Sequence, residues 1–124
     1  MTLAGAPNAM NVLLIVNDPP GTSRRSDDGL RVAAALLRAD DADVRVFLLG
    51  DAVAWAATPL PGATPPHAAS QVSALINAGC VVAVSDTGLR DRGIAPGDLV
   101  IGAESATTST LAAWVLESER LLVF

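Results

Sequence analysis

Cysteine and histidine are nearly absent: the 124 residues hold one of each. A single cysteine excludes a disulfide framework, and one cysteine with one histidine excludes a Cys/His zinc site. Aromatic residues make up 3% of the chain and tyrosine is missing. Basic residues are also scarce, eight against thirteen acidic ones, giving a net charge of -5. Apart from Arg24-Arg25 and the Arg90/Arg92 pair they are spread thinly, which argues against nucleic acid as a partner. No apolar run approaches the roughly 20 residues that a membrane-spanning helix requires, so no membrane partner is expected. The opening MTLAGAPNAM has neither a basic region nor a long apolar stretch, and does not read as a signal peptide. Residues 1–10 are expected to form a short flexible tail, and the default compartment is the cytoplasm.

What is present is apolar and short-ranged. Hydrophobic residues reach 51% and mean hydropathy is +0.43, largely through alanine and valine broken up by proline, glycine and charge. Residues 11–124 suit one domain. A chain of this length buries roughly two-thirds of its surface, enough for a core without disulfides or metals.

Strand and helix alternate along the chain. NVLLIV (11–16) is a continuous apolar run of strand length, as expected for a strand buried on both faces. Residues 26–39 form a helical stripe through Leu30, Ala33, Ala34 and Leu37, with Ser26 placed to cap it and Asp27 and Asp28 at the positive end of its dipole. VRVFLL (44–49) predicts a second strand, followed by a short helix over 51–57. TPLPGATPP (58–66) is a loop, long for a compact domain. A third helix covers 68–78 and closes at Gly79. Strand three takes 80–84, a short helix 87–92, strand four 99–101, the last helix 105–118, and strand five 121–124. Such alternation predicts a parallel sheet with helices on both faces and right-handed crossovers.

Ligands bind such sheets beyond the carboxyl ends of the strands. Strand one delivers Asn17 and Asp18 there, strand two Gly50 and Asp51, strand three Ser85 and Asp86, and strand four Gly102 and Glu104. The same residue types are also what helix caps use, and Asp51 reads as a cap before it reads as a catalyst. Asp18, Asp51 and Asp86 have the chemistry to hold a hard cation such as magnesium. DPPGTSRRS has one glycine and no lysine, so it matches neither a P-loop nor a dinucleotide fingerprint, although Arg24 and Arg25 at a helix start suit an anion. His67, in the Pro-rich loop, reads as a surface residue. Trp114 lies in the apolar run LAAWVL, whose helix has more apolar face than one sheet contact needs. Either a helix–helix contact or a subunit interface accounts for it.

Four segments, NDPPGTSRRSDDGLRVAAALL, VRVFLLGDAV, GCVVAVSDTGLRDRGI and TLAAWVLESERLLVF, together resemble the DsrE/DsrF-like family. The resemblance implies a three-layer α/β/α sandwich around a five-stranded parallel sheet. It also implies homo-oligomers, trimers or hexamers, with pockets near subunit contacts. The best-understood members relay sulfur as a persulfide on a cysteine at the end of strand three, and pass it to a sulfur-transfer protein partner. Family sequences commonly read close to VCGTCLDARGI where this chain reads VSDTGLRDRGI. Aligned through Thr87, Leu89, Arg92 and Gly93, the two cysteine positions fall on Ser85 and Gly88. Neither carries a thiol, and persulfide chemistry needs a thiolate. Cys80 begins strand three, roughly 16 Å of extended chain from Ser85, and reads as a small buried apolar residue.

Three functions follow as expectations. The first is a non-catalytic DsrE/DsrF-like protein binding a small molecule or protein partner through Asn17, Asp18, Gly50, Asp51, Ser85, Asp86 and Thr87. The second is a sulfur-relay component, acting through Cys80 or as the Cys-less subunit of a complex. The third is a divalent-metal-dependent enzyme built on the acidic strand ends. The first is preferred, with no catalytic residue, no resident metal and no cofactor.

Overall fold

The computed structural model describes residues 9–39, 41–58 and 66–124. Most of the expected tail (1–8) and most of the Pro-rich loop (59–65) lie outside the described residues. The elements in chain order are β1 (Met10–Val16), α1 (Arg24–Arg38), β2 (Ala42–Leu48), a 3-10 helix (Gly50–Ala56), α2 (Pro66–Asn77) and β3 (Val81–Ser85). There follow α3 (Asp86–Asp91), a 3-10 turn (Pro96–Asp98), β4 (Glu104–Ala106), α4 (Thr108–Glu117) and β5 (Arg120–Val123). All pairings between these strands are parallel, and the order across the sheet is β4-β3-β2-β1-β5.

That order dictates where the helices go. From β1 to β4 each connection steps in one direction, and a right-handed crossover then leaves α1 and α2 on one face. The return from β4 across the sheet to β5 runs the other way, which puts α4 on the opposite face. The core divides accordingly. Val12, Leu14 and Val16 of β1 face one cluster with Leu30, Trp55, Val72 and Leu75. Leu13 and Ile15 face a smaller one with Phe47, Ala83, Leu111 and Trp114. Both faces of β1 are therefore covered, which is why NVLLIV is apolar at every position after its first.

Two expectations about local structure are corrected. Strand four is not Leu99–Val100–Ile101. Leu99 makes an isolated antiparallel bridge to Ala57, and the Val100 amide donates to the Ala56 carbonyl at 2.8 Å. The apolar stretch thus closes the core beneath the 3-10 helix. Gly102, at φ +96, then turns the chain so that Glu104, Ser105 and Ala106 pair with Ala83, Val84 and Ser85. β4 is a three-residue edge strand with little buried surface, so it carries no apolar signature. Glu104 begins this strand and Gly102 precedes it; neither sits at the carboxyl edge, where the strand delivers Ala106 instead.

The second correction concerns α1. Its cap position is Ser23, not Ser26. Ser26 lies within the helix, fully buried, with its hydroxyl donating to the Asp18 carbonyl at 2.7 Å. It ties the first turn of α1 to the end of β1. The last helix likewise starts at Thr108 behind the cap Thr107, whose Oγ1 accepts the Thr110 amide at 3.2 Å. Among the described residues no helix is long and apolar enough to cross a membrane.

Candidate functional site at the carboxyl edge of the sheet

The residues expected to form a site are held in two groups. The first is built on α3 and the 3-10 helix. Ser85 ends β3, is 6% exposed, and caps α3: its Oγ accepts the Gly88 amide at 3.1 Å. The same oxygen lies 3.1 Å from Thr87 Oγ1. Asp86 Oδ1 accepts the Thr87 amide at 2.7 Å. Arg92 joins α3 to the 3-10 helix, donating to Asp51 Oδ1 through Nε at 3.1 Å and through its terminal nitrogen. Its Nη1 also donates to the Gly88 carbonyl at 2.9 Å. The backbone of Gly50 completes this group, packing against Gly88.

The second group lies beyond the end of β1. Asn17 Nδ2 donates to the Phe124 carbonyl at 3.0 Å, as does the Asn17 amide. Asp18 Oδ2 accepts the Ser23 hydroxyl at 2.8 Å. The Asp18 carbonyl accepts from Ser26 and from Trp55 Nε1, the latter at 3.0 Å. Trp55 is the bridge between the groups, since it belongs to the 3-10 helix.

Asp18, Asp51 and Asp86 each hold a different partner in this arrangement. Among the described residues no group of three or more His, Cys, Asp or Glu is placed to hold a metal ion. Cys80 packs in the main core at the far end of β3, 4% exposed. Burial pushes its thiol from the ordinary 9.0 up to about 12, against a smaller lowering by the Val46 backbone. Near neutral pH it is a thiol and not a nucleophilic thiolate.

The open space lies beside these residues more than between them. A cavity of 610 Å³ sits at the amino ends of α1 and α2, lined by Thr22, Ser23, Arg24, Arg31, His67 and Gln71 among others. A second, of 320 Å³, continues along the cleft between the two helices. A third, of 200 Å³, lies between α3 and β4 and includes Asp86 and Arg90. Of the seven expected site residues only Asp86 lines one of these cavities. Arg24 and His67 were visible in the sequence as isolated polar residues. Their convergence with Arg31 and Gln71 depends on α1 and α2 lying side by side, which no local pattern announces.

The fold and edge define a class: a small three-layer α/β protein with five parallel strands, carrying its polar residues at the carboxyl ends. The sequence pattern of the DsrE/DsrF-like family matches residues 10–124, and the chain belongs to that family. It is 30% identical over 115 residues to the uncharacterized protein MJ0989 of Methanocaldococcus jannaschii, spanning 93% of this chain and 100% of the relative. It is 26% identical over 121 residues to the uncharacterized protein MK0008 of Methanopyrus kandleri, spanning 97% and 99%. Among solved structures it is similar to the ychN protein of E. coli, with TM-score 0.84, 27% identity, and 93% and 99% of the two chains covered. It shares its fold with MTH1491 of Methanobacterium thermoautotrophicum, a protein of unknown function, at TM-score 0.76 and 14% identity, with 93% and 99% covered.

Proposed function

We propose that this chain is a non-catalytic DsrE/DsrF-like protein that binds a small molecule or a protein partner at the carboxyl edge of its sheet, next to a contact between copies of itself. Asn17, Asp18, Gly50, Asp51, Ser85, Asp86 and Thr87 form that edge. The observation that carries the reading is the use made of the two positions where the family resemblance places cysteines. Ser85 spends its side-chain oxygen on the α3 cap. Gly88 lies so close to Val53 that a β-carbon there would be 2.8 Å from its Cγ1. Neither position is held open for a sulfur atom, and Cys80 is buried and protonated.

Assembly of copies, for which the family resemblance implies a trimer or hexamer, is supported by the uneven cover of the sheet. Five strands span roughly 19 Å across, while one helix covers roughly 10 Å. α1 and α2 share one face, but α4 is alone on the other. Leu121 and Val123 align with Leu13 and Ile15 on the α4 face; Val123 stays 61% exposed, and Leu116 of α4 is 87% exposed. A second copy laid over this face buries them.

The test is intact-mass analysis after incubation with a cysteine desulfurase and cysteine. No added sulfur is expected. A gain of one sulfur atom, lost in Cys80→Ser, overturns the reading and restores a direct relay role. Family membership also favours a second reading, in which this chain is the Cys-less subunit of a sulfur-relay complex whose partner supplies the thiol. Transfer of labelled sulfur that requires this chain without ever labelling it would establish that case.

A further inference from the structure

The cleft between α1 and α2 lies on the opposite face from α4; none of the seven residues of the site proposed above lines it, although Ser23 and Trp55, which bond Asp18, do. It has one cationic wall and one small apolar wall. Arg24, Asp27, Arg31, Ala34 and Arg38 follow one another at helical spacing along the α1 side. Gln71, Ala74 and Ala78 do the same along α2, and Leu30 and Leu75, both buried, form the floor. The two cavities there, 320 and 610 Å³, share Arg31 and Gln71, so they form one continuous groove.

Three features say what fits it. The chain's eight basic residues are all arginine, and four of them stand on α1. Asp27 and Asp28 stand on the same helix, and Arg31 is paired with Asp27 at 3.0 Å; four arginines against two aspartates still leave an excess of positive charge in a protein of net charge -5, and it attracts an anionic partner. Arg24, Arg31 and Arg38 are separated by seven residues each, about 10.5 Å along the helix and about 21 Å in all. That is a repeat a partner helix matches with carboxylates two turns apart, and a compact anion does not. The groove is open along its length, and its exposed wall is alanine. Small side chains let a third helix come close, whereas pockets for small molecules are enclosed and lined by larger apolar and aromatic groups. Gln71 Oε1, where the two halves meet, is buried without a hydrogen-bond partner among the described residues. Its Nε2 already donates to Asp27 Oδ1 at 3.2 Å. A buried acceptor left alone is costly, and it marks the middle of the groove as incomplete.

From this we infer that the α1–α2 groove docks an acidic amphipathic helix of a partner protein. Its glutamates or aspartates, spaced by seven residues, face Arg24, Arg31 and Arg38, and its small apolar stripe lies on Ala34, Ala74 and Ala78. This is the helix-in-groove mode with a charged rim. Desolvation of the apolar stripe supplies affinity, and the arginines supply register and rate.

The probe is a fluorescein-labelled, hydrocarbon-stapled peptide with glutamate at every seventh position and alanine or leucine on the adjoining stripe, read by anisotropy. Binding that weakens with salt is expected. The Arg24→Glu/Arg31→Glu/Arg38→Glu variant is expected to bind roughly tenfold to a hundredfold more weakly, the combined scale of three surface ion pairs. Ala74→Trp fills the apolar wall without touching the charges, and is expected to abolish binding while circular dichroism stays native. No binding of the peptide overturns the proposal, as does equal binding by both variants. Binding of phosphatidylglycerol vesicles in place of the peptide overturns it in favour of a membrane surface. Peptide-free self-association that the charge reversal abolishes overturns it in favour of a second copy.

Discussion

Gly88 has no room for a β-carbon: one built on it lies 2.8 Å from Val53 Cγ1 and 3.3 Å from the Gly50 carbonyl oxygen. The 3-10 helix therefore sits directly on α3. Its closeness is maintained by Arg92, which bonds Asp51 on one side and the Gly88 carbonyl on the other. Ser85 and Gly88, the positions where the family resemblance places cysteines, then differ in kind. Ser85→Cys keeps the shape of the side chain and loses a good acceptor for the Gly88 amide, a cost of about 1 kcal/mol. Gly88→Cys forces the 3-10 helix outward and is expected to cost about 1–3 kcal/mol by overpacking. Urea unfolding of both variants measures the difference, and equal midpoints would show that the 3-10 helix yields freely.

Cys80 makes the alkaline stability of the protein readable as a single titration. Its thiol is raised from 9.0 to about 12 by burial. Between those limits the folded chain holds a proton that the unfolded chain has released. The folded state binds more protons, so stability is full below about pH 9 and falls as the pH rises towards 12. The sequence contains neither lysine nor tyrosine, so no other side chain titrates in this window. The urea midpoint of the wild type is expected to decline across it, and that of Cys80→Ala to stay nearly level. Iodoacetamide is expected to leave Cys80 unmodified in the native state and to label it in urea.

The Asp18 carbonyl accepts two side-chain donors, Ser26 Oγ at 2.7 Å and Trp55 Nε1 at 3.0 Å. Either donor alone keeps this oxygen satisfied. Ser26→Ala is expected to cost about 1 kcal/mol as a lost hydrogen bond. Trp55→Phe costs that and some packing as well, since Trp55 is 1% exposed. The double variant leaves the carbonyl with neither donor, and its loss is expected to exceed the sum of the two singles. A double-mutant cycle from denaturant unfolding reports the excess; strict additivity would mean that water replaces the missing donors.

What was legible in the sequence follows from where each segment's signal originates. β1 and β2 are central strands with both faces buried, so NVLLIV and VRVFLL announce themselves by composition alone. β4 has a partner on one side only and keeps Glu104 and Ser105 exposed; its identity as a strand is set by β3, and nothing in Glu-Ser-Ala says so. The apolar Leu99-Val100 pair drew the expectation because it is buried for a different reason, closing the core at Ala57. Ser26 precedes two aspartates, the pattern of a cap, although the cap is Ser23. The bond of Ser26 runs to the Asp18 carbonyl, a contact between separate elements. Asn17 and Asp18 follow β1, Gly50 and Asp51 follow β2, and Ser85 and Asp86 stand at the end of β3, because a parallel sheet places such residues there whatever their role. The seven-residue repeat of Arg24, Arg31 and Arg38 was present in the sequence throughout. It acquires meaning only when α2 supplies the second wall of a groove.

The face of the sheet that carries α4 provides the last prediction. Trp114 packs edge-on against Phe47, with ring centres 5.8 Å apart and planes at 85°, and Arg45 lies 5.1 Å over its ring while pairing with Glu117. The inner side of α4 is thus anchored, and substitutions on its outer side should leave the monomer folded. Leu116 is 87% exposed. Leu116→Glu combined with Val123→Glu is expected to keep the native circular dichroism and thermal midpoint of an isolated protomer. It is expected to convert a larger assembly into monomers by light scattering, because two carboxylates cannot be buried against an apolar copy without large desolvation cost. Trp114→Ala acts differently, lowering stability through the lost aromatic contact, whose edge-to-face pairing contributes about 0.5–1.5 kcal/mol beyond burial. An assembly that survives the double glutamate variant would move the contact between copies away from α4 and β5, and with it the subunit boundary beside the carboxyl edge.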